Sequence, residues 1–324
     1  MVLLLIGFTI RTDMKVLITG AAGFIGYHTA CKFADWGNEV FCIDNFNDYY
    51  DVKLKYAREA ELLKKGGIKV DNIDIQDADK MKGYILKNKP DLVIHLAASA
   101  GVRYSMDHAQ EYIDNNITGT QNLIRACEHG EVDNVIYAST SCVMHNHPLP
   151  WSEVDALGPH LSPYGYTKAT NESQFNVSKI ENAVGLRFFT VYGPWGRPDM
   201  ALFTFTKKIM NGEEITVYNN GDMVRDFTYV DDIVQGIWLV SRNMTNRDIY
   251  CIGYGEQVQL MHFVDCIEKE LGIKAKIRYE DPHPADAKET WSDTTKIQEL
   301  GYDPKTPIEE GVKNFVHWYR SFYN

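Results

Sequence analysis

A glycine-rich turn between an apolar strand and a helix constrains the fold of this chain more than any other feature of its sequence. Residues 15–19 form a short apolar run typical of a buried strand, Gly20-Ala-Ala-Gly23-Phe-Ile-Gly26 follows directly, and helical periodicity begins at Phe24. Glycines here permit a tight turn and a close approach of backbone N–H groups to a phosphate at the positive helix end. The spacing is G-x-x-G-x-x-G rather than G-x-G-x-x-G, so the turn alone leaves an ordinary strand–helix loop open.

The same alternation of strands and helices continues along the chain. We predict further strands at 39–43, 68–73, 91–96 and 134–138, and helices at 24–36, 52–65, 77–87, about 106–128, 163–178 and 308–322. Short apolar strands that alternate with helices are typical of βαβ units and predict an α/β fold with a doubly wound parallel sheet. After about residue 192 the rhythm becomes irregular, which predicts a smaller, loop-rich C-terminal substrate domain and a ligand cleft between the two parts.

An acidic residue at the end of the second predicted strand favours one dinucleotide over another. Asp44 follows the glycines at about the 20-residue distance expected of a carboxylate that accepts hydrogen bonds from both adenosine ribose hydroxyls. A carboxylate there repels a 2′-phosphate, so NAD is predicted rather than NADP. Asp74 and Ile75, after the third strand, are candidates for the edge of the adenine site, although an exposed aspartate explains Asp74 equally well.

These features divide the chain into predicted domains. We place an NAD-binding domain of the Rossmann type at 14–189, with a return segment near 226–252, and the substrate domain at 190–225 and 253–324. Residues 1–13 are expected to be a leader or an upstream start, because Met14 stands directly before the first strand pattern. The apolar opening is too short to span a bilayer and lacks a small-residue cleavage site.

Charge and cysteine content exclude several classes of function. The 33 basic and 44 acidic residues give a net charge of −11, which opposes nucleic acid or an anionic membrane as the main partner. The six cysteines are scattered without a C-x-x-C pair. We therefore predict neither a disulfide framework nor a metal site, and a reducing, cytoplasmic location.

A tyrosine and a lysine four residues apart form the candidate proton-transfer pair. Tyr164 and Lys168 share one helix face. A phenol with a pKa near ~10 is a poor base at neutral pH, but a neighbouring ammonium and a positive nicotinamide ring favour the phenolate. Thr140, in the Ser139-Thr140-Ser141 run after the fifth strand, supplies a hydroxyl that can share the substrate proton. An exposed Tyr/Lys pair is the alternative. Against it, the glycine turn, the acidic Asp44, the Thr140 hydroxyl and the Tyr/Lys pair follow one another along the chain in the order expected of a dinucleotide-dependent enzyme.

With these motifs, the chain resembles the extended short-chain dehydrogenase/reductase family, and within it the nucleotide-sugar epimerases. The resemblance extends from Met14 to the C-terminus. Three runs resemble UDP-glucuronate 4-epimerases: Asp44-Asn-Phe-Asn-Asp-Tyr-Tyr-Asp-Val-Lys-Leu, Leu96-Ala-Ala-Ser-Ala-Gly-Val-Arg-Tyr-Ser and Leu186-Arg-Phe-Phe-Thr-Val-Tyr-Gly-Pro-Trp-Gly-Arg-Pro-Asp-Met. The run Arg225-Asp-Phe-Thr-Tyr-Val-Asp-Asp is shared more widely among sugar-nucleotide enzymes.

The resemblance implies a role for each matching position. Thr140, Tyr164 and Lys168 are implied as the catalytic hydroxyl, the base and its electrostatic partner, in a reaction that removes hydride from sugar C4 and returns it to the other face of a 4-keto intermediate. Cofactor contacts are implied for Gly20, Gly23, Phe24, Ile25, Gly26, Asp44, Asn45, Asp74, Ile75, Ala97, Ala98, Tyr164 and Lys168. Substrate contacts are implied for Arg103, Ser141, Cys142, Thr190, Arg197, Tyr218, Arg225 and Asp286.

Two of the implied substrate residues also have a physical reason for their role. A guanidinium fork at Arg197 suits the uronate carboxylate, with an ion pair to nearby Asp199 as its alternative. Arg225 matches the arginine that clamps the diphosphate, and a surface ion pair is its alternative. The main prediction is therefore conversion of UDP-glucuronate to UDP-galacturonate, by a homodimer formed through the helices near 106–128 and 163–178.

Other activities remain open on the sequence. UDP-glucuronate decarboxylases of this superfamily carry an acidic residue directly after the catalytic threonine, whereas Thr140 is followed by Ser141 and Cys142, which ranks decarboxylation lower. Cys142 leaves open a 3- or 5-epimerase that exchanges a proton beside the ketone, against a small cysteine packed under the site. His145 and His147 are either extra acid–base groups or solvated bystanders. A non-catalytic NAD-binding protein is the remote alternative.

Overall fold

The computed structural model describes residues 14–145, 147–244 and 246–323. The predicted leader, residues 1–13, lies outside these ranges. The strands are β1 (Lys15–Thr19), β2 (Glu39–Asp44), β3 (Val70–Asn72), β4 (Leu92–His95), β5 (Asn134–Thr140), β6 (Asn182–Phe188), β7 (Thr190–Tyr192), β8 (Glu214–Tyr218), β9 (Val224–Arg225), β10 (Phe227–Tyr229), β11 (Arg247–Ile252), β12 (Val258–Gln259) and β13 (Lys276–Glu280).

The helices surround these strands on both sides. They are α1 (Phe24–Asp35), α2 (Val52–Gly66), α3 (Ala78–Asn88), α4 (Ala109–Tyr112), α5 (Thr120–His129), α6 (Pro163–Val177), α7 (Ala201–Met210), α8 (Val230–Arg242), α9 (Leu260–Leu271), α10 (Thr295–Gln298) and α11 (Ile308–Tyr323). Among the described residues, none of these helices combines the length and apolar character needed to cross a membrane.

A parallel sheet forms the centre of the N-terminal part. Within the described residues it has seven strands in the order β3-β2-β1-β4-β5-β6-β11, and every neighbouring pair is parallel. Chain order reverses between β1 and β4, and the crevice beside such a reversal, at the carboxyl ends of the strands, is where open α/β sheets bind ligands. The predicted fold class is confirmed.

The β1 strand shows why the sheet is buried on both faces. Successive side chains of a strand point to opposite faces. Val16 and Ile18 enter the core under α1 and α8, whereas Leu17 joins the core under α3 and α5. Continuous apolar strands are therefore required, and the short runs seen in the sequence supply them.

The predicted helix near 106–128 is wrong in one respect, because it is interrupted. A π-helical turn at Ile113–Gly119 separates α4 from α5. There Asn116 accepts a hydrogen bond from the Ser99 amide at 2.8 Å and donates to the Ser99 carbonyl at 2.9 Å, while Asn115 donates to the Ser99 hydroxyl at 3.0 Å. The wider turn lets two consecutive asparagines reach one loop at the edge of the crevice.

The C-terminal part has a separate apolar core. Helices α7, α9 and α11 pack around β8 and β13, with Phe203, Phe263 and Phe315 among the buried side chains. β11 returns to the edge of the main sheet beside β6. The domain boundaries drawn from the sequence stay a prediction.

Candidate active site

A cleft of about 320 Å³ opens at the carboxyl ends of the central strands. Its wall includes most of the residues that the sequence analysis selected: Gly20, Gly23, Phe24, Ile25, Gly26, Asp44, Asn45, Ile75, Ala97, Ala98, Thr140, Ser141, Cys142, Tyr164, Lys168, Thr190 and Arg197. Asp74, Arg103, Tyr218, Arg225 and Asp286 are not part of this wall.

The glycine turn is packed too tightly for a side chain at any of its three glycines, since a Cβ on Gly23 would also lie 2.9 Å from the Gly20 carbonyl oxygen. A Cβ on Gly26 would lie 2.1 Å from the Gly20 carbonyl oxygen, and one on Gly20, at φ +71°, would lie 2.7 Å from the Ala97 nitrogen. Gly23, the N-cap of α1, has no side chain that could hydrogen-bond the first turn. The N–H groups at this helix end are therefore left for an anionic ligand.

Asp44 is held in place by backbone amides at the end of β2. Its carboxylate accepts hydrogen bonds from the Ala22 nitrogen at 3.1 Å and the Phe46 nitrogen at 2.8 Å. The Lys55 ammonium, 4.0 Å from the carboxylate, also donates to Asn47 at 2.9 Å. The sequence analysis missed Lys55 as a cleft residue, although it follows the quoted Asp44 run by one position.

The structure corrects the expected place of Asp74. Its carboxylate accepts hydrogen bonds from the Asn45 side chain at 3.0 Å and the Gln76 amide at 2.8 Å. Asp74 therefore contacts Asn45, which lines the cleft, but does not itself line it. Of the two residues predicted at this edge, Ile75 lines the cleft, whereas the Asp74 carboxylate is engaged by Asn45 and Gln76.

Helix α6 presents Tyr164 and Lys168 to the cleft. Ser162 caps its first turn by accepting a hydrogen bond from the Gly165 amide at 3.2 Å, and Pro163 occupies the first helical position. The Tyr164 amide donates to the Ser105 hydroxyl at 3.2 Å, which ties the start of α6 to the neighbouring loop. The helix start is thus fixed by its own cap and by the contact with Ser105.

The electrostatics of the pair differ from the expectation in one way. Burial raises the pKa of Tyr164 to about 12, and the Thr140 hydroxyl and the Arg197 guanidinium offset only part of this. Burial also lowers the pKa of Lys168 to about 8, against a smaller opposing effect of Glu172. The pKa of Tyr164 is therefore not lowered as expected: the phenol is protonated at neutral pH, whereas Lys168, with a pKa of about 8, keeps most of its positive charge there.

A buried ion pair that the sequence analysis missed lies one turn beyond Lys168. Glu172 binds Arg187 through two hydrogen bonds, each at 3.0 Å, and accepts a third from the Ser139 hydroxyl at 2.5 Å. Glu172 and Arg187 are both buried. The i, i+4 spacing from Lys168 to Glu172 was a usable signal, whereas the partner on β6 could be identified only from the tertiary structure.

Arg197 reaches the cleft with its guanidinium already engaged. Its Nε and Nη2 atoms donate to the Asp199 carboxylate at 3.0 and 2.5 Å, and Tyr49 donates to the same carboxylate at 3.0 Å. The negative charge of Asp199 raises the pKa of Arg197 despite its burial. The fork expected to bind a ligand carboxylate is thus occupied by an internal carboxylate.

Four other predicted substrate residues form a separate cluster next to the cleft. Arg103 forms an ion pair with Asp286 at 2.6 Å, and its guanidinium lies 4.0 Å above the Tyr218 ring. Arg225 donates from Nη1 to the carbonyl oxygens of Val224 and Lys288, at 2.8 and 2.9 Å. The structure brings these side chains near one another but outside the wall that contains Tyr164.

The cysteine and histidine candidates have different surroundings. Cys142 lines the cleft, and burial raises the pKa of its thiol. His145 is buried against Trp151 and its pKa is lowered to about 4 by burial, so it is not a solvated bystander. His147 lies 4.0 Å from the Asp155 carboxylate, a partner not visible in the sequence. Neither histidine lines the cleft.

The residues present fit a dinucleotide. Such a ligand needs a helix start with no side-chain cap, glycines at which a Cβ would collide with backbone, and a carboxylate at the end of the second strand. The turn supplies the first two, with three such glycines, and the buried Asp44 supplies the third. Phe24, Ile25, Ala97 and Ala98 supply the apolar wall beside them.

Comparisons with known proteins agree with this geometry. The family model described as the NAD dependent epimerase/dehydratase family matches residues 16–253. Protein CapI of Staphylococcus aureus is 41% identical, over 96% of this chain and 99% of the relative. UDP-glucuronate 4-epimerase 3 of Arabidopsis thaliana is 38% identical, over 97% of this chain and 78% of the relative.

A solved structure is similar over nearly the whole chain. The UDP-glucuronic acid 4-epimerase from Bacillus cereus, in complex with UDP-glucuronic acid and NAD, superimposes with a TM-score of 0.89 at 34% identity. The match covers 96% of this chain and all of the other.

Proposed function

The chain belongs to the NAD dependent epimerase/dehydratase family, and on that premise we propose that it interconverts UDP-glucuronate and UDP-galacturonate by inverting C4 of the sugar. The observation that carries the proposal is the presence in one cleft of a dinucleotide turn, a Thr140/Tyr164/Lys168 set and a guanidinium suited to a carboxylate. Relatives at 36–39% identity that carry the UDP-glucuronate 4-epimerase name support the same substrate.

The cofactor is NAD, which supplies a reversible hydride acceptor for the substrate carbon when it is bound. The glycine turn and the start of α1 hold its diphosphate, and Asp44 holds the adenosine ribose. The cofactor is regenerated within each cycle because hydride leaves C4 and returns to C4, so the reaction has no net redox change.

Tyr164 is the proposed base for the O4 hydroxyl of the sugar. Its pKa of about 12 means that the phenol is protonated at neutral pH, and a positive charge beside it is needed to make the phenolate accessible. Lys168 is the charged group on the same helix face, and Thr140 donates a hydrogen bond to the phenol oxygen. In the reverse step Tyr164 returns the proton to O4.

Arg197 is the proposed carboxylate-binding residue. A substrate carboxylate can take the place of Asp199 on the guanidinium fork, which preserves two charge-assisted hydrogen bonds while changing the acceptor. The Arg103/Asp286 and Arg225 cluster is the proposed site for the uridine diphosphate end, since its guanidinium groups are the cations adjacent to the cleft on that side.

A 3- or 5-epimerase activity is less compatible with the site. Proton exchange beside a ketone needs a thiolate, and burial raises the pKa of Cys142 away from that form. Decarboxylation is disfavoured because Ser141 follows Thr140 where a carboxylic acid is needed. The intact proton-transfer set opposes the silent NAD-binding alternative.

Proton NMR of UDP-glucuronate incubated with the enzyme and no added cofactor tests the proposal. We expect the signals of UDP-galacturonate to grow until both sugars coexist, because NAD remains bound and is regenerated. In D2O, no deuterium should enter the carbon skeleton, since C4 receives back its own hydride. A product restricted to a pentose, or deuterium at C3 or C5, would contradict 4-epimerisation.

We also propose a homodimer formed through α4, α5 and α6 and a cytoplasmic location. The helices proposed for the interface pack against one another in the protomer, and Val177 at the end of α6 is an exposed apolar side chain, with an exposed fraction of 81%. All six cysteines are free thiols, in keeping with a reducing compartment. Size-exclusion chromatography with light scattering should give twice the 37.0 kDa chain mass.

A further inference from the structure

A histidine, a cysteine and a glutamate meet on the C-terminal part of the chain, on helices α9 and α11. His262 and Cys266 are four residues apart on α9, so they share one helix face. Glu309 lies in the first turn of α11. The described residues contain one set of three potential metal-ligating side chains, and in it the three ligand atoms all lie within 4.8 Å of one another.

The distances within this set are close to the spacing that one small cation requires. The His262 Nε2 atom lies 2.9 Å from a Glu309 carboxylate oxygen and 3.8 Å from the Cys266 sulfur. Zinc binds sulfur at about 2.3 Å and nitrogen or oxygen at about 2.0–2.2 Å with tetrahedral angles, so its ligand atoms stand roughly 3.3–3.6 Å apart. Small side-chain rotations bring the observed atoms to those separations.

The surroundings allow a cation to enter. The His262 and Glu309 side chains are about half exposed, at 50% and 54%, while Cys266 is buried beneath them. Asp265 and Glu270 add negative charge near the sulfur, and Lys269 is the opposing positive group. A site with a buried sulfur and two exposed ligands leaves its fourth position open to water.

We propose that His262, Cys266 and Glu309 bind a divalent cation of the zinc class and thereby join α9 to α11. A nitrogen, a sulfur and one carboxylate select a borderline-soft metal over magnesium or calcium, which prefer oxygen ligands alone. The site is separate from the catalytic cleft, none of whose lining residues belongs to it. The sequence analysis predicted no metal site, and this proposal departs from that prediction because Glu309 follows Cys266 only after 43 residues of sequence and meets it through the packing of α9 against α11.

Cobalt(II) is the probe for this site because its thiolate complexes absorb in the near ultraviolet and its tetrahedral complexes absorb in the visible. The full-length protein is treated with a chelator, desalted and titrated with Co²⁺. We expect a thiolate-to-cobalt band that saturates at one equivalent and disappears when Zn²⁺ is added. Zn²⁺ should also raise the thermal unfolding midpoint, because the metal binds the folded chain.

Variants assign the band to these residues. Cys266→Ser should abolish the near-ultraviolet band. His262→Ala and Glu309→Gln should each weaken cobalt binding by at least about tenfold, because even the loss of a residue that only orients a metal ligand costs about 10–100-fold in affinity. Glu309→Gln keeps a hydrogen-bond acceptor for His262, so its folded structure should survive. His317→Ala on α11 and Cys31→Ser on α1 are the matched controls and should keep the band.

Three results of the cobalt titration would overturn the proposed metal site. A wild-type protein without a thiolate band would overturn it, as would a band that persists in Cys266→Ser. Loss of the band in Cys142→Ser alone would place the metal in the catalytic cleft and would also overturn it. Failure of the epimerase assay would leave this test unaffected, since neither readout depends on turnover.

Discussion

The two ends of the cleft are built in different ways. At the cofactor end, the ligand-binding groups are backbone N–H groups of the Gly20–Gly26 turn and a carboxylate held by two amides. At the substrate end, they are guanidinium groups that already have internal partners, Asp199 for Arg197 and Asp286 for Arg103. The cofactor end is therefore preorganised, whereas the substrate end must exchange ion pairs when a substrate binds.

This difference suits the two ligands. A cofactor that stays bound over many cycles gains from rigid contacts that require no rearrangement. A charged substrate enters and leaves at each cycle. Internal carboxylates then neutralise the arginine charges between substrates, because a buried charge without a partner destabilises the protein. The proposed catalytic residues on α6, Tyr164 and Lys168, line the same cleft.

Removing the Tyr164 hydroxyl should have the largest effect on turnover, because the proposed base acts on the substrate next to the nicotinamide end of the cofactor. Tyr164→Phe should lower kcat by roughly 10²–10⁴-fold, the range for loss of a general base, while NAD content stays at the wild-type level. Turnover by NMR and NAD content by absorbance check this. Tyr166→Phe on the same helix is the control and should remain active; wild-type kcat in Tyr164→Phe would refute the assignment.

At the substrate end, the two partners of the Arg197 ion pair should act in opposite directions. Arg197→Ala should raise KM for UDP-glucuronate by about 10–100-fold, because a charged hydrogen-bonded group is worth about 1.5–3 kcal/mol. Asp199→Asn should lower that KM a few-fold by removing the internal competitor. Kinetics with UDP-glucose, which lacks the carboxylate, provide the control, and an equal loss for both sugars would contradict the role.

At the cofactor end, a single methyl group should be enough to disturb the turn. Gly26→Ala places a Cβ 2.1 Å from the Gly20 carbonyl and should cost about 1–3 kcal/mol of stability, with reduced NAD content in the purified protein. Gly83→Ala on α3 meets no atom within 4 Å and should instead stabilise by about 0.5–1 kcal/mol. Urea unfolding of both variants measures the contrast.

The pH dependence of turnover should report on Lys168, whose pKa burial lowers to about 8. The ammonium is present below that pH and is lost as the pH rises through it. Turnover should therefore fall about tenfold for each pH unit above the pKa. In Lys168→Arg the descending limb should move upward because guanidinium keeps its proton. A limb that stays in place in this variant would assign the titration to another group.

The smallest effect is expected at Cys142. Cys142→Ser is nearly isosteric, and the buried thiol is protonated at neutral pH because burial raises its pKa. We expect kcat within about twofold of wild type, because a nearly isosteric substitution that removes no needed contact changes free energies by only about 0.5 kcal/mol. A loss as large as that of Tyr164→Phe, accompanied by deuterium at C3 or C5 in D2O, would support the 3- or 5-epimerase instead.

The cofactor end was predicted from the sequence more completely than the substrate end. Gly20, Gly26 and Asp44 lie within one βαβ unit, where local spacing fixes their relative positions. Arg197 and Asp199 are close in sequence, and their ion pair was foreseen as an alternative. Lys55 and Arg187 were missed, because the carboxylates that they approach, Asp44 and Glu172, lie on other helices or strands.

The amino-acid sequence by itself determined the doubly wound sheet, the NAD turn and the Tyr164/Lys168 pair, because strand and helix periodicity and short-range spacing are properties of contiguous residues. Only the tertiary structure decided which charges meet, such as Glu172 with Arg187 and Asp286 with Arg103. It also decided that burial raises the Tyr164 pKa. Ion pairs and desolvation depend on how separate elements pack together, and no local pattern specifies that packing.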